Sequence, residues 1–163
     1  MQNNIFFIVL WLLCVVATIT AAVLAPRWEP GRYLGRAAVS VLFVLGGALV
    51  HVINLARGED YAGFADSAHF GWVTDAWRAV VPPNHVLLIG LLIAFETTAG
   101  VLVALGERWT RLGYAAVIAF HLLLWLFGWF VTVYVLIMLP PLVLLLRTET
   151  RLSRDRLQAG PVR

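Results

Sequence analysis

Glu96 and His121 are the side chains of this chain that most demand a chemical explanation. Each lies near the middle of a long apolar run, and the two runs are joined by a short arginine-bearing turn, Gly106–Arg111. An ionisable group at the centre of a hydrocarbon layer costs about 2.5–3.5 kcal/mol on insertion scales, so it needs a partner or a task. A tight turn makes the flanking segments pack antiparallel, which brings both groups to similar depth. A direct Glu96–His121 hydrogen bond is therefore expected. Tyr114, His121 and Trp125 follow one another at spacings of seven and four, and so share one helical stripe. Gly47, His51 and Asn54, at spacings of four and three, share another. The candidate ligand-binding set is thus Glu96, His121, His51, Asn54, Tyr114 and Trp125.

Three kinds of chemistry suit such a set. The groups could hold helices together, line a chamber for a quinone, lipid or other small apolar ligand, or relay protons or ions. A relay needs polar groups reaching both surfaces, and few are available on the cytoplasmic side of Glu96. No nucleophile–base–acid constellation or phosphate-binding loop is present, so no enzymatic activity is assigned and the catalytic residues are unknown. Cys14 is the single cysteine, which excludes an intrachain disulfide, a CxxC redox pair and a cysteine-based metal site. Asp66 and His69 stand at i,i+3 but lack a third ligand, so no metal is assigned. Haem is disfavoured, because no pair of mid-depth histidines faces across the bundle. The cofactor is unknown, with a quinone as the class to consider.

The elements that must position these groups are membrane spans. The chain has 163 residues, of which 61% are hydrophobic and 13% charged, with a mean hydropathy of +0.87; no ordinary soluble domain has that composition. Its apolar runs suit a hydrocarbon core about 30 Å thick, and lipid leaves helices as the natural way to satisfy the backbone. The net charge of +3 comes with basic residues that are all arginine and mostly flank the apolar runs. They read as topology signals, and nucleic acid is not an expected partner.

Five spans are predicted. Ile5–Leu24 is the first; the lack of a basic segment before it argues against a cleaved signal peptide. A loop from Ala25 to Arg36 carries three arginines, with Trp28 and Tyr33 as interfacial anchors, and is assigned to the cytoplasm. Ala37–Leu55 is the second span. The acidic, aromatic stretch from Ala56 to Asn84 is assigned to the outside, with Asp75 capping a short helix that runs to Val81. Val86–Leu105 is the third span. Leu112–Leu146 would reach about 52 Å as one helix, far too long for one crossing. It is therefore divided at Phe127-Gly128-Trp129, and Pro140-Pro141 is expected to kink or break the last helix. This arrangement puts every arginine-rich loop and the Arg147–Arg156 tail on one side, with the N-terminus outside and the C-terminus cytoplasmic. The resulting organisation is an N-terminal helix and loop (1–36), a membrane bundle (37–147, with an external loop at 56–84) and a basic tail (148–163), a short surface helix with a frayed end that is drawn to anionic lipid headgroups.

From Arg36 to about Trp129 the pattern resembles the DoxX-like family of small membrane proteins. The resemblance rests on Arg36, Phe43, Gly46-Gly47 and the loop phenylalanine Phe64. It continues through Glu96, Gly100, Gly106 and Arg111, whose spacing is its most specific part. Two features depart from the pattern: the helix Ile5–Leu24 is an addition, and His51 stands near where relatives often carry lysine. The resemblance implies a four-helix membrane bundle; with the added first helix, the expected fold is an all-α bundle of a DoxX-like four-helix core plus one extra N-terminal helix. It also implies a redox- or quinone-associated accessory role, since some relatives are membrane subunits of thiosulfate:quinone oxidoreductases. The expected protein is a multi-pass component of a bacterial plasma membrane that docks another membrane or redox protein, or a second copy of itself. A small-solute or proton transporter and an inert membrane anchor are the alternatives.

Overall fold

A computed structural model describes residues 2–158. Its elements are α1 (Gln2–Leu24), α2 (Glu29–Val41), a π-helical segment (Leu42–Ala48), α3 (Leu49–Ala56) and α4 (Gly71–Val80). After a 3-10 turn (Pro82–Asn84) come α5 (His85–Leu105), α6 (Glu107–Leu124), a second 3-10 turn (Trp125–Phe127) and α7 (Trp129–Gln158). No strand occurs among the described residues. Five helical stretches are long and apolar enough to cross a membrane: Ile5–Leu24, Glu29–Ala56, Gly71–Leu105, Glu107–Phe127 and Trp129–Arg154. The outer surface agrees: Phe130 is 86% exposed and Val86 67%, while Glu96, His121, Arg32 and Glu149 are buried. An apolar exterior around buried ionisable groups is the pattern that lipid favours and water penalises.

The spans form a closed ring. α1 packs on α2, α2 and the π segment on α5, α5 on α6, α6 on α7, and α7 back on α1. Cys14, Val15, Ala21 and Ala22 of α1 belong to the same buried core as Val103, Val117, Met138 and Leu142. The first helix is therefore a wall of the bundle. On α1, the Thr18 hydroxyl donates to the Cys14 carbonyl (2.7 Å), a local back-bond that leaves no polar group for a neighbour to satisfy.

The division of residues 112–146 occurs where the sequence indicates it. Gly128 has φ +110°, a conformation L side chains rarely adopt, and a Cβ there would collide with the Ser67 carbonyl. Thr132 fastens the turn, its hydroxyl donating to the Gly128 carbonyl at 3.0 Å and accepting from His69 Nε2–H at 2.8 Å.

Five boundaries depart from the expected ones. The Gly106–Arg111 turn contracts to Gly106, at φ +93°, because α6 already starts at Glu107. The first loop is shorter, because α2 starts at Glu29 with proline in its first turn, a favourable helix opening; Arg32 and Arg36 thus lie on a helix. Asp75 falls inside α4, whose cap position is held by Phe70. Pro140-Pro141 does not end α7. That helix also runs straight through Arg147 into the expected tail, carrying Glu149 into the interior. The expected frayed end, 159–163, and the side chain of Arg156 lie outside the described residues.

Candidate functional site

A cavity of about 480 Å³ lies inside the ring, in the half nearer the Ala56–Asn84 loop. All five spans contribute to its wall: Trp11 from α1, Gly47 and His51 from the second span, Glu96 from α5, His121 from α6 and Tyr134 from α7. The rest of the lining is chiefly aliphatic and aromatic. Its size suits a small organic ligand.

Glu96 is the centre of the polar wall. It is 4% exposed, and its carboxyl lies against the π segment at Gly47. A Cβ on Gly47 would sit 2.6 Å from Oε1 and 2.9 Å from Oε2, so only glycine leaves space for this acid. π-helical turns occur often at functional sites. Here the turn brings a side-chain-free patch of backbone against the carboxyl. Oε1 lies 3.7 Å from His51 Nε2, beyond direct hydrogen-bond reach, and Oε2 is buried with no hydrogen-bond partner.

The histidine facing Glu96 is therefore His51, not His121, and the expected Glu96–His121 hydrogen bond is absent. The reason lies in how His121 is held. Its Nδ1 is 2.8 Å from the Val117 carbonyl of its own helix, an acceptor only, so Nδ1 carries the proton. In the neutral ring Nε2 then accepts from the Tyr134 hydroxyl at 3.1 Å. Matching depth on adjacent helices does not fix the direction in which a ring points.

His51 is held in turn by Tyr61, with 2.9 Å between Nδ1 and the hydroxyl. If Tyr61 donates, the neutral ring directs its Nε2–H toward Glu96. Burial pushes the Tyr61 hydroxyl above the usual phenol range, keeping it a protonated donor. Tyr61 has φ +61°, uncommon for an aromatic residue and the kind of backbone strain that gathers at binding sites. Its carbonyl accepts from Trp77 Nε1 at 2.8 Å, which helps hold it there. Phe64, Trp77 and Phe127 then meet with ring centroids 5.0–5.1 Å apart and close over the cavity from the loop side.

Of the six residues singled out in the sequence, Glu96, His51 and His121 line one cavity; Asn54, Tyr114 and Trp125 are not in its wall. Tyr114 is fully buried in the core, and Trp125 packs on His69 and Phe70. Asp66 pairs with Arg78 at 2.9 Å while His69 engages Thr132, so this sequence pair has separate partners. The residues that the sequence did not single out are Tyr61 and Tyr134, one behind each histidine. Tyr134 carried a signal, since it and His121 lie at nearly equal distances on either side of Gly128, where a helical hairpin pairs them.

No protein-family model, curated protein sequence or solved structure matches this chain.

Proposed function

We propose that this chain is a small accessory protein of a bacterial plasma membrane, DoxX-like in character, whose cavity binds a compact apolar ligand bearing hydrogen-bonding oxygens. A quinone headgroup is the ligand class that best meets the wall. Its flat ring suits the Phe64–Trp77–Phe127 cluster, a carbonyl oxygen of the quinone can accept from His51 Nε2–H, and a hydroxyl of the quinol form can donate to the Glu96 carboxyl. The observation that carries this reading is the Glu96 carboxyl, which lines an apolar chamber with neither oxygen within hydrogen-bond distance of a protein donor. A buried polar atom without a partner costs about 1–3 kcal/mol, a cost that a ligand hydrogen bond offsets. The arginine-rich end is placed in the cytoplasm by the positive-inside rule, with the cavity toward the outside. Delivery or sensing of reducing equivalents for a neighbouring redox protein is the role such a site serves.

Transport is less well supported. Between the cavity and the arginine end the ring is filled chiefly by Val103, Val117, Met138 and Leu142, each 0% exposed; Tyr114 is a buried polar group in this layer, and a proton path would need a continuous chain of them.

Trp11 and Trp77 in the wall provide the test. A short-chain quinone titrated into the detergent-purified protein is expected to quench tryptophan fluorescence saturably. Glu96→Ala is expected to weaken binding of the corresponding quinol, titrated in the same way, by roughly tenfold, the value of about one charge-assisted hydrogen bond. Equal affinity in the variant, or no saturable quenching in the parent, would reject the reading.

A further inference from the structure

The opposite end of the bundle holds a second pocket of about 250 Å³, between the start of α2, the first turns of α6 and the end of α7. Arg32, Arg36, Arg108 and Arg111 enter it against two carboxylates, Glu107 and Glu149. Guanidinium groups stay charged in proteins, so the pocket is cationic under all ordinary conditions.

The acids do not use up this charge. Glu149 is taken by Arg36 in a two-pronged contact, Nε at 2.8 Å and Nη2 at 2.6 Å. Arg32 Nε is then left 3.6 Å from the same carboxylate, too far to hydrogen-bond. Arg32 is 8% exposed, and its Nε is buried with no acceptor, as is the Nε of Arg111. Arg108 lies over the Trp109 ring at 4.7 Å, and Glu107 is an exposed acid in the first turn of α6. Two arginines on different helices thus line this pocket while the Nε of each lacks an acceptor. The first turn of α6 lines it too, and a helix N-terminus favours negative charge.

We propose that this pocket binds a phosphate-type anion, either the headgroup of an acidic phospholipid or a free phosphate. Tetrahedral oxyanions offer several acceptors at once, the complement of arginine forks from different helices. Depth supports a phosphate: Trp28, Tyr33 and Trp109 are 53%, 55% and 41% exposed at this same end, the belt that aromatic residues form at headgroup level. The site is independent of the quinone reading, because it shares no residue with the cavity.

The test uses the full-length protein in detergent, with two probes. Native mass spectrometry would compare retention of phosphatidylglycerol with phosphatidylcholine, and thermal unfolding would be followed with inorganic phosphate against chloride at equal ionic strength. A preference of about tenfold for phosphatidylglycerol is expected, lost in Arg111→Gln, which leaves the Arg36–Glu149 pair intact. Should that variant not fold, Arg108→Gln, at an exposed position, is expected to reduce the same preference. Lipid preference without stabilisation by phosphate assigns the site to a headgroup; stabilisation by phosphate that Arg111→Gln abolishes assigns it to the free anion. No preference in either arm, or one unchanged in the variants, overturns the proposal.

Discussion

Glu149 and Glu96 are both buried carboxyls, 6% and 4% exposed, in surroundings that differ in almost every other respect. Glu149 is gripped by Arg36 through two short hydrogen bonds, with Arg32 close behind. Glu96 has an imidazole just beyond bonding distance, a free oxygen and a chamber in front of it. A carboxylate with a saturated shell fixes the helices that supply the shell. One with spare capacity, beside a cavity, is set up for something outside the chain. Burial alone therefore does not distinguish a structural acid from a binding one; the count of satisfied lone pairs does.

The contrast can be broken from either side. Removing the acid from the saturated site by Glu149→Leu leaves Arg36 and Arg32 buried without their counter-charge. A loss of about 3–5 kcal/mol is expected, seen as a large fall in the thermal midpoint in detergent, while quinone binding by molecules that remain folded is unchanged. Gly47→Ala attacks the other site. The added methyl overlaps the Glu96 carboxyl, and overpacking is expected to cost about 1–3 kcal/mol. In a Glu96→Ala background that cost is expected to fall sharply, and a double-mutant cycle measures the coupling. A cycle with no coupling would mean that the π segment and the acid are not fitted to one another. Tyr134→Phe removes the hydroxyl behind His121 and is expected to cost about 1 kcal/mol in unfolding, with a weaker effect on quinone affinity than Glu96→Ala. The smallest effect belongs to Asp66→Asn. Its partner Arg78 is more than half exposed, so a change below about 0.5 kcal/mol is expected, and added salt should erase it.

How far the sequence foretold this molecule depends on the kind of information involved. The spans and the break at Gly128 were legible because length against bilayer thickness and the side on which arginines fall are one-dimensional properties. Glu96 was legible because a carboxylate in an apolar run has few explanations. Its partner was not, because depth along a helix can be counted from sequence but rotation around it depends on local bonds such as His121 to Val117. The π segment was hidden for a related reason: Gly46-Gly47 signals close approach without stating how the backbone winds there. Glu149 was concealed by composition. It sits among threonines and arginines after the last apolar run, where a solvated tail is the natural reading, and only the continuation of α7 beside α2 turns it inward.

Closure of the ring between the first and last helices has a consequence for biogenesis. A ribosome releases α1 first and α7 last, so Arg36 and His121 enter the bilayer before Glu149 and Tyr134 have been made. Until the final helix arrives, the nascent bundle carries an uncompensated guanidinium near one face and an imidazole short of its tyrosine within. A chain stopped after Phe127 would be held in that state, and is expected to remain with the insertion machinery or be degraded.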